Sequence, residues 1–260
     1  MIVTFTDFGV QGPYLGQMRA AIMDVAPRVP VIDLMSDVPA FDVRAAAYLL
    51  PAVMAPFAAG TVCLGVVDPG VGSQRRPVVL KADDRWFVGP DNGLFEIVAR
   101  RAQCASWWDI TWRPDILSSS FHGRDLFAPV AAEIARGLQT DGAPALGRCA
   151  AIQHADGVPN SLFGDLPDDL PAVIYIDGYG NCMTGLRWDN LDGRACLRIG
   201  EFTVMRADTF SDVEIGTPFF YKNALGLLEI AVNQGRADAD IDLSVGSQVS
   251  VRNLCDVKVK

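Results

Sequence analysis

Four short segments set carboxylates, guanidinium groups and an imidazole beside glycines. They are Thr6-Asp7-Phe8-Gly9; Asp68-Pro69-Gly70-Val71-Gly72, with Arg75 and Arg76 behind it; Gly89-Pro90-Asp91-Asn92-Gly93; and Phe121-His122-Gly123-Arg124-Asp125. Glycine lets a ligand come close to the backbone, and a carboxylate in a turn too tight to bury it can face that ligand. The formal net charge of -9 over 260 residues disfavours nucleic acid, because a phosphate backbone calls for a basic face that displaces counterions. A small neutral or cationic ligand fits better. Each segment also has a plain structural reading. Asp-Pro-Gly and Pro-Asp-Asn-Gly are common turns, Asp125 suits a helix N-cap, Arg76 suits a solvated or partner-contact surface, and His154 lies in a loop with no cluster near it. Convergence of the segments on one kind of edge is what favours chemistry.

The elements that must position these groups follow from hydrophobic periodicity. Up to about residue 160 strand and helix signals alternate. Ile2 to Phe5, Val29 to Leu34, Thr61 to Val67 and Trp107 to Ile110 read as strands, and Pro77 to Ala82 with Arg85 to Val88 as a hairpin. Tyr14 to Val25, a stretch capped by Asp42 that Pro51 should end or bend, Leu94 to Arg101, and Asp125 to Leu138 read as helices. This order predicts an α/β domain over residues 1–163, Rossmann-like, with a mainly parallel sheet covered on both faces. Such sheets bind ligands beyond the carboxyl ends of their strands, which is where Asp7, Asp68 and Asp91 fall. From about Pro171 short β-branched and aromatic runs separated by Gly, Asn and Asp turns predict a small antiparallel β-barrel or sandwich over residues 170–260. The acidic, proline-containing stretch from Gly164 marks the boundary.

The six cysteines are scattered without a CxxC pair, so buried reduced thiols are expected. Two histidines offer no zinc-ligand spacing, and no metal or cofactor is expected. The N-terminus lacks a basic, signal-like start and no apolar run has membrane-spanning length. The expectation is a soluble, cytoplasmic protein with no membrane or nucleic-acid partner.

The segments TDFG, VVDPGVGSQR, GPDNGLF, FHGRDLFAPVAA, IDGYGN and LGLLEIAVNQG occur in the order and spacing of the S-adenosylmethionine hydroxide adenosyltransferases, also called S-adenosylmethionine hydrolases, sisters of the fluorinases and chlorinases. The chain resembles that family over nearly its whole length. The resemblance implies an N-terminal α/β domain, a C-terminal β-barrel, and a homotrimer whose substrate lies between the N-terminal domain of one subunit and the C-terminal domain of the next. It implies cleavage of S-adenosylmethionine at ribose C5′ by water, giving adenosine and methionine.

The residue roles come with the resemblance. Asp68, Arg75 and His122 fall on the family's triad: the guanidinium favours a hydroxide-like oxygen, and the carboxylate and imidazole orient it and can accept its proton. Asp7 matches the carboxylate that accepts both ribose hydroxyls, with Phe8 beside it, and Phe41 an aromatic near the sugar. Asp177 matches the acid that pairs with the methionine ammonium, and Tyr179 and Asn181 the groups that hold adenine. At Asn223-Ala224 many relatives have Asn-Ser, so Asn223 is a binding candidate while the hydroxyl that helps hold the methionine carboxylate is missing. Two other readings stand beside hydrolysis. A halide-dependent 5′-halogenase is disfavoured because Asp68 would repel a halide at short range; a non-catalytic nucleoside or S-adenosylmethionine sensor is disfavoured because all three triad residues are present.

Overall fold

The computed structural model describes residues 1–140, 142–152 and 166–253. The chain forms two compact units, Met1–Asp165 and Leu166–Lys260. His154, Cys255 and the start of the linker at Gly164 lie outside the described residues. In the first unit the order is β1 (Ile2–Thr6), α1 (Tyr14–Val25), β2 (Val31–Met35), α2 (Val43–Met54), β3 (Val62–Val66), β4 (Pro77–Ala82), β5 (Arg85–Pro90), α3 (Glu96–Arg101), β6 (Ala105–Ile110), α4 (Ala128–Thr140) and β7 (Cys149–Ile152). The Asp42 carboxylate accepts the Ala45 N–H at 2.8 Å and caps α2, whereas Pro51 does not end that helix, which runs on to Met54.

Strands β2, β1, β3 and β5 lie side by side and parallel. Strands β4, β6 and β7 extend the sheet with antiparallel pairings. The expected mainly parallel sheet is therefore corrected to a mixed one. The reason is local: Asp83 takes a left-handed φ of 51°, so the chain reverses in two residues and β5 returns antiparallel along β4 without the crossover that a parallel neighbour needs.

Both faces are covered. Ile2, Val62, Leu64, Val79 and Val88 share one buried cluster with Met18 and Ile22 of α1 and Val130 and Ile134 of α4. On the other face Phe87 packs on Phe95 at 5.8 Å between ring centres, and α2 buries most of its length.

The carboxyl ends of β3 and β5 meet through glycine. A Cβ on Gly89 would lie 2.2 Å from the Gly65 carbonyl oxygen, and one on Gly65 would lie 2.9 Å from the Phe95 ring. Only hydrogen fits at either place, and the close approach brings the residues that follow the two strands together.

The second unit contains β8 (Leu170–Ile176), β9 (Cys182–Arg187), β10 (Ala195–Ile199), β11 (Phe202–Arg206), β12 (Pro218–Lys222), β13 (Leu227–Val232), α5 (Ala237–Asp240) and β14 (Ser250–Asn253). Its sheet order is β14-β10-β11-β12-β13-β9-β8, antiparallel except for the parallel pair β11–β12. The sheet curls into a half-barrel, and Ala172 in β8 pairs with Gln248 just before β14. Its concave face is a continuous apolar cluster that includes Val173, Leu197, Val204, Phe220, Ile230 and Val249. Cys63, Cys182 and Cys196 are buried as expected, but Cys104 is exposed. No helix among the described residues is long and apolar enough to cross a membrane.

Gly89→Ala should destabilise the protein by about 1–3 kcal/mol, the usual cost of overpacking a close-packed interior. Urea denaturation would read this as a lower midpoint at unchanged slope.

Candidate active site

Asp7 follows β1 and Asp68 follows β3, and the register Thr6↔Val66 sets the two carboxylates at neighbouring strand ends. Both line a cleft of about 520 Å³ in the first unit, together with Phe8, Tyr14, Phe41, Phe121 and His122. Asp91 emerges on the same edge but is not among the lining residues. Its carboxylate accepts Nε and Nη2 of Arg76 at 3.0 and 2.7 Å. Arg76 is thus a fastener between the start of β4 and the end of β5, not only a solvated surface charge.

The centre of the arrangement is Arg75. Its Nε donates to both oxygens of Asp68 at 2.9 Å, its Nη2 also reaches Asp68 Oδ2, and the same Nη2 lies 3.0 Å from His122 Nδ1. A guanidinium only donates, so Nδ1 accepts and the ring hydrogen sits on Nε2. Burial and then the Arg75 charge hold the imidazole below its ordinary value of 6.5, against the opposing pull of Asp68. The ring is neutral at neutral pH. Side chains of Asp68 and Arg75 are only 4% and 7% exposed, and the Arg75 guanidinium lies 5.2 Å from the centre of the buried Phe127 ring. Asp68 and His122 reach the cleft wall; Arg75 is not among its lining residues.

Local sequence explains how three groups so far apart in the chain meet. Buried Asn92 donates from Nδ2 to the Val67 carbonyl at 2.8 Å, immediately before Asp68. The sequence marks Asn92 only as a turn residue; its tie to β3 is visible once the strands are paired. Gly72, at φ 80°, sits where a Cβ would lie 2.6 Å from the Ser119 carbonyl oxygen, so the Asp68 turn packs directly on the segment that leads into His122. That segment enters a π-helical turn, Gly123–Phe127, before α4, a local widening that recurs at functional sites. Asp125 lies within this turn and does not cap it. Its carboxylate accepts the Ser118 N–H at 2.9 Å and Arg124 Nε at 2.6 Å, correcting the N-cap expectation.

Asp7 Oδ2 accepts the Phe41 backbone N–H at 3.0 Å. Burial first, and the nearby Asp68 charge last, push the Asp7 carboxyl above its ordinary value, although the Phe41 N–H works the other way. Phe41 holds a left-handed φ of 63°, and the residue is 75% exposed. A bulky residue in that conformation is strained, and the bond to Asp7 is one restraint that keeps it there. Tyr14, Gln17, Ser118, Ser120, Phe121 and Arg124 also line the cleft. Sequence reasoning marks Phe121 and Arg124 only as neighbours of His122 and does not mark Tyr14, Gln17, Ser118 or Ser120, since polar and aromatic side chains near helix starts look like ordinary surface.

The remaining candidates belong to the second unit. Asp177 Oδ1 accepts the backbone N–H groups of Tyr179 and Asn181, both at 2.9 Å, and Oδ2 accepts Asn181 Nδ2 at 3.1 Å. The carboxylate is the hub of its own turn, with Asn181 buried and Tyr179 80% exposed. Asn223 is different. Its Oδ1 accepts from Leu225 and Leu227, and its Nδ2 donates to Glu229 Oε2 at 2.8 Å, so its amide shapes the β12–β13 turn. Buried Glu229 also accepts the Tyr221 hydroxyl. Neither Glu229 nor Tyr221 was marked by the sequence, because both sit in ordinary strand patterns. Among the described residues no group of three or more His, Cys, Asp or Glu side chains could hold a metal ion.

Family models for the N-terminal and C-terminal domains of SAM hydroxide adenosyltransferases match residues 2–143 and 171–250. The chain belongs to the SAM hydroxide adenosyltransferase family. It is 36% identical to the (R)-S-adenosyl-L-methionine hydrolase of Thermus thermophilus over 257 residues, covering 94% of this chain and 96% of the relative. It is 33% identical to the enzyme of the same name from Salinispora arenicola, covering 95% of each. The crystal structure of a conserved Thermotoga maritima protein of uncharacterized role superimposes with a TM-score of 0.84 at 30% identity, over 96% of this chain and 99% of that one. In this family member Asp68, Arg75 and His122 form one hydrogen-bonded group.

Nitrogen NMR of the labelled protein at neutral pH should show His122 protonated at Nε2 and bare at Nδ1. A signal from the Nδ1–H tautomer, or from an imidazolium, would contradict the Arg75 contact.

Proposed function

We propose that the protein is an adenosine-forming S-adenosyl-L-methionine hydrolase, in which a water-derived oxygen attacks ribose C5′ at the cleft edge of Asp68 and His122. The supporting observation is the Asp68–Arg75–His122 contact set: a carboxylate and a neutral imidazole face one cleft, fixed from behind by a single guanidinium. The oxygen forms a bond to C5′ as the C5′–S bond breaks, and that bonding pair leaves with sulfur. Methionine departs as a neutral thioether, so no general acid is needed.

The difficult part is the nucleophile. Asp68, whose oxygens keep lone pairs beyond those used by Arg75, is placed to take the water proton. His122 presents Nε2–H and orients the oxygen as a donor. Arg75 holds the Asp68 carboxylate in place and adds to burial in keeping His122 neutral, and alignment with the sulfonium supplies the rest of the rate. Asp7, Phe8 and Phe41 hold the ribose, while Asp177, Tyr179 and Asn181 hold the ammonium and adenine; Asn223 acts through the turn that it shapes. The same reading takes the protein as a cytoplasmic homotrimer with sites at subunit interfaces and no cofactor, resting on the family resemblance. Light scattering of the purified protein tests the trimer. Halogenation is disfavoured by the Asp68 charge, which would repel a halide at the place where the nucleophile must stand.

Incubation with S-adenosylmethionine in ¹⁸O water, with and without chloride, should yield adenosine labelled at O5′ in both cases. A 5′-chloronucleoside, or binding with no product, would overturn the proposal. Asp68→Ala should lower kcat by about 10²- to 10⁴-fold, the usual worth of a positioned acid or base, with KM changed little. The pH profile carries a second expectation. His122 must be neutral for Nδ1 to accept from Arg75, and Arg75, Asp68, Arg113 and Asp125 are the charged groups acting on it. Because its pKa is lowered, the half-fall of kcat/KM on acidification should lie below pH 6.5. A half-fall at or above 6.5 would exclude the neutral-imidazole role.

A further inference from the structure

We infer that Arg236 and Asp238, which follow the Asn233-Gln234-Gly235 turn after β13, are positioning residues for the loop Asp177-Gly178-Tyr179-Gly180-Asn181. The inference rests on the reading of that loop as substrate-binding, and it adds two residues to which neither sequence motif nor family match assigns a role.

The loop has a physical problem. Two of its five residues are glycine, which leaves the backbone permissive, and Tyr179, an exposed residue, has little packing to fix it. Asp177 gathers the loop from inside. From outside, Arg236 Nη1 donates to the Gly178 carbonyl at 3.1 Å, and the Asp238 backbone N–H donates to the Gly180 carbonyl at 3.1 Å. The carbonyls on both sides of Tyr179 are thereby held by one three-residue stretch far away in sequence.

That stretch is itself braced. Arg236 Nε and Nη2 clasp the Asp238 carboxylate at 3.1 and 2.7 Å, and the Arg236 N–H donates to Asp240 Oδ2 at 2.9 Å. The fit against the loop is close. Gly180 has φ 85°, and a Cβ there would lie 2.5 Å from Asp238 Oδ1 and 2.9 Å from Arg236 Cβ. The clasped pair occupies the space that a side chain at 180 would need. The geometry therefore pre-sets the Tyr179 backbone before substrate arrives, which reduces the ordering cost of binding. Arg236 acts through the loop and is not assigned a contact with substrate.

The test is steady-state hydrolysis of S-adenosylmethionine by the full chain carrying Arg236→Gln, Asp238→Asn, Tyr179→Ala, and Arg236→Gln combined with Tyr179→Ala. Arg236→Gln should raise KM about tenfold, with kcat within about twofold. Asp238→Asn should move KM in the same direction by a smaller factor, and Arg236→Lys should recover part of the loss. In the Tyr179→Ala background the Arg236→Gln effect on KM should largely disappear, since residues acting through one element are not additive. A role in stability alone would move the unfolding midpoint and leave that coupling absent. If Tyr179→Ala raises KM and Arg236→Gln does not, or if the two effects simply multiply, the positioning inference fails while the hydrolase reading stands. If no loop variant alters KM, the loop assignment fails and takes the inference with it.

Discussion

The arrangement depends on one guanidinium. Arg75 has a donor geometry that a lysine could not reproduce: a fork that engages the Asp68 carboxylate while one terminal nitrogen reaches His122. It is almost fully enclosed, and its charge is matched by Asp68 on one side and by the π face of Phe127 on another. An enclosed charge without partners would be costly. With these partners it fixes the orientation of two side chains and the protonation of one. One positive group set between a carboxylate and an imidazole holds both in place, and its charge adds to burial in keeping the imidazole below its ordinary value.

The rest of the first unit reads as support for that contact. Parallel pairing of β1, β3 and β5 brings three carboxylates to one edge, and the glycine contact between Gly65 and Gly89 brings the last two strand ends together. Asn92 then fastens the residue before Asp68, while Arg76 holds Asp91 away from the cleft. The π-helical turn and the bare α-carbon of Gly72 bring His122 in from the opposite side. Local strain is present where the cleft opens, at Phe41, and a carboxylate that also lines the cleft helps to restrain it.

The second unit solves a related problem with different means. Its turns carry polar groups that hydrogen-bond within the turn: Asp177 within 177–181, and Asn223 with Glu229 at the β12–β13 reversal. Burial pushes the Glu229 carboxyl above its ordinary range, opposed by the hydrogen bonds from Tyr221 and Asn223. Loops rich in glycine become well-defined surfaces when side chains of this kind lock their carbonyls and amides.

Much of this was legible in the residues themselves. Periodicity marks α1 at its observed limits and places Asp7, Asp68 and Asp91 at strand ends, because alternation and strand-terminating glycines are local properties. The order of the quoted motifs marks the family. Pairing partners were not legible. Nothing in the Asp91 or Arg76 segments says that they bind each other instead of a ligand, nor that Asn223 turns its amide inward, nor that Arg236 reaches back to Gly178. The β4–β5 hairpin was legible, but that β6 pairs with β4 and β7 with β6, both antiparallel, escapes a reading of strand order. Sequence determined which groups were available and on which edge they emerged, since those depend on neighbours along the chain. Tertiary structure alone decided which groups share a hydrogen bond and which remain open to a ligand, since that choice is made between segments dozens of residues apart, by distances of a few ångströms.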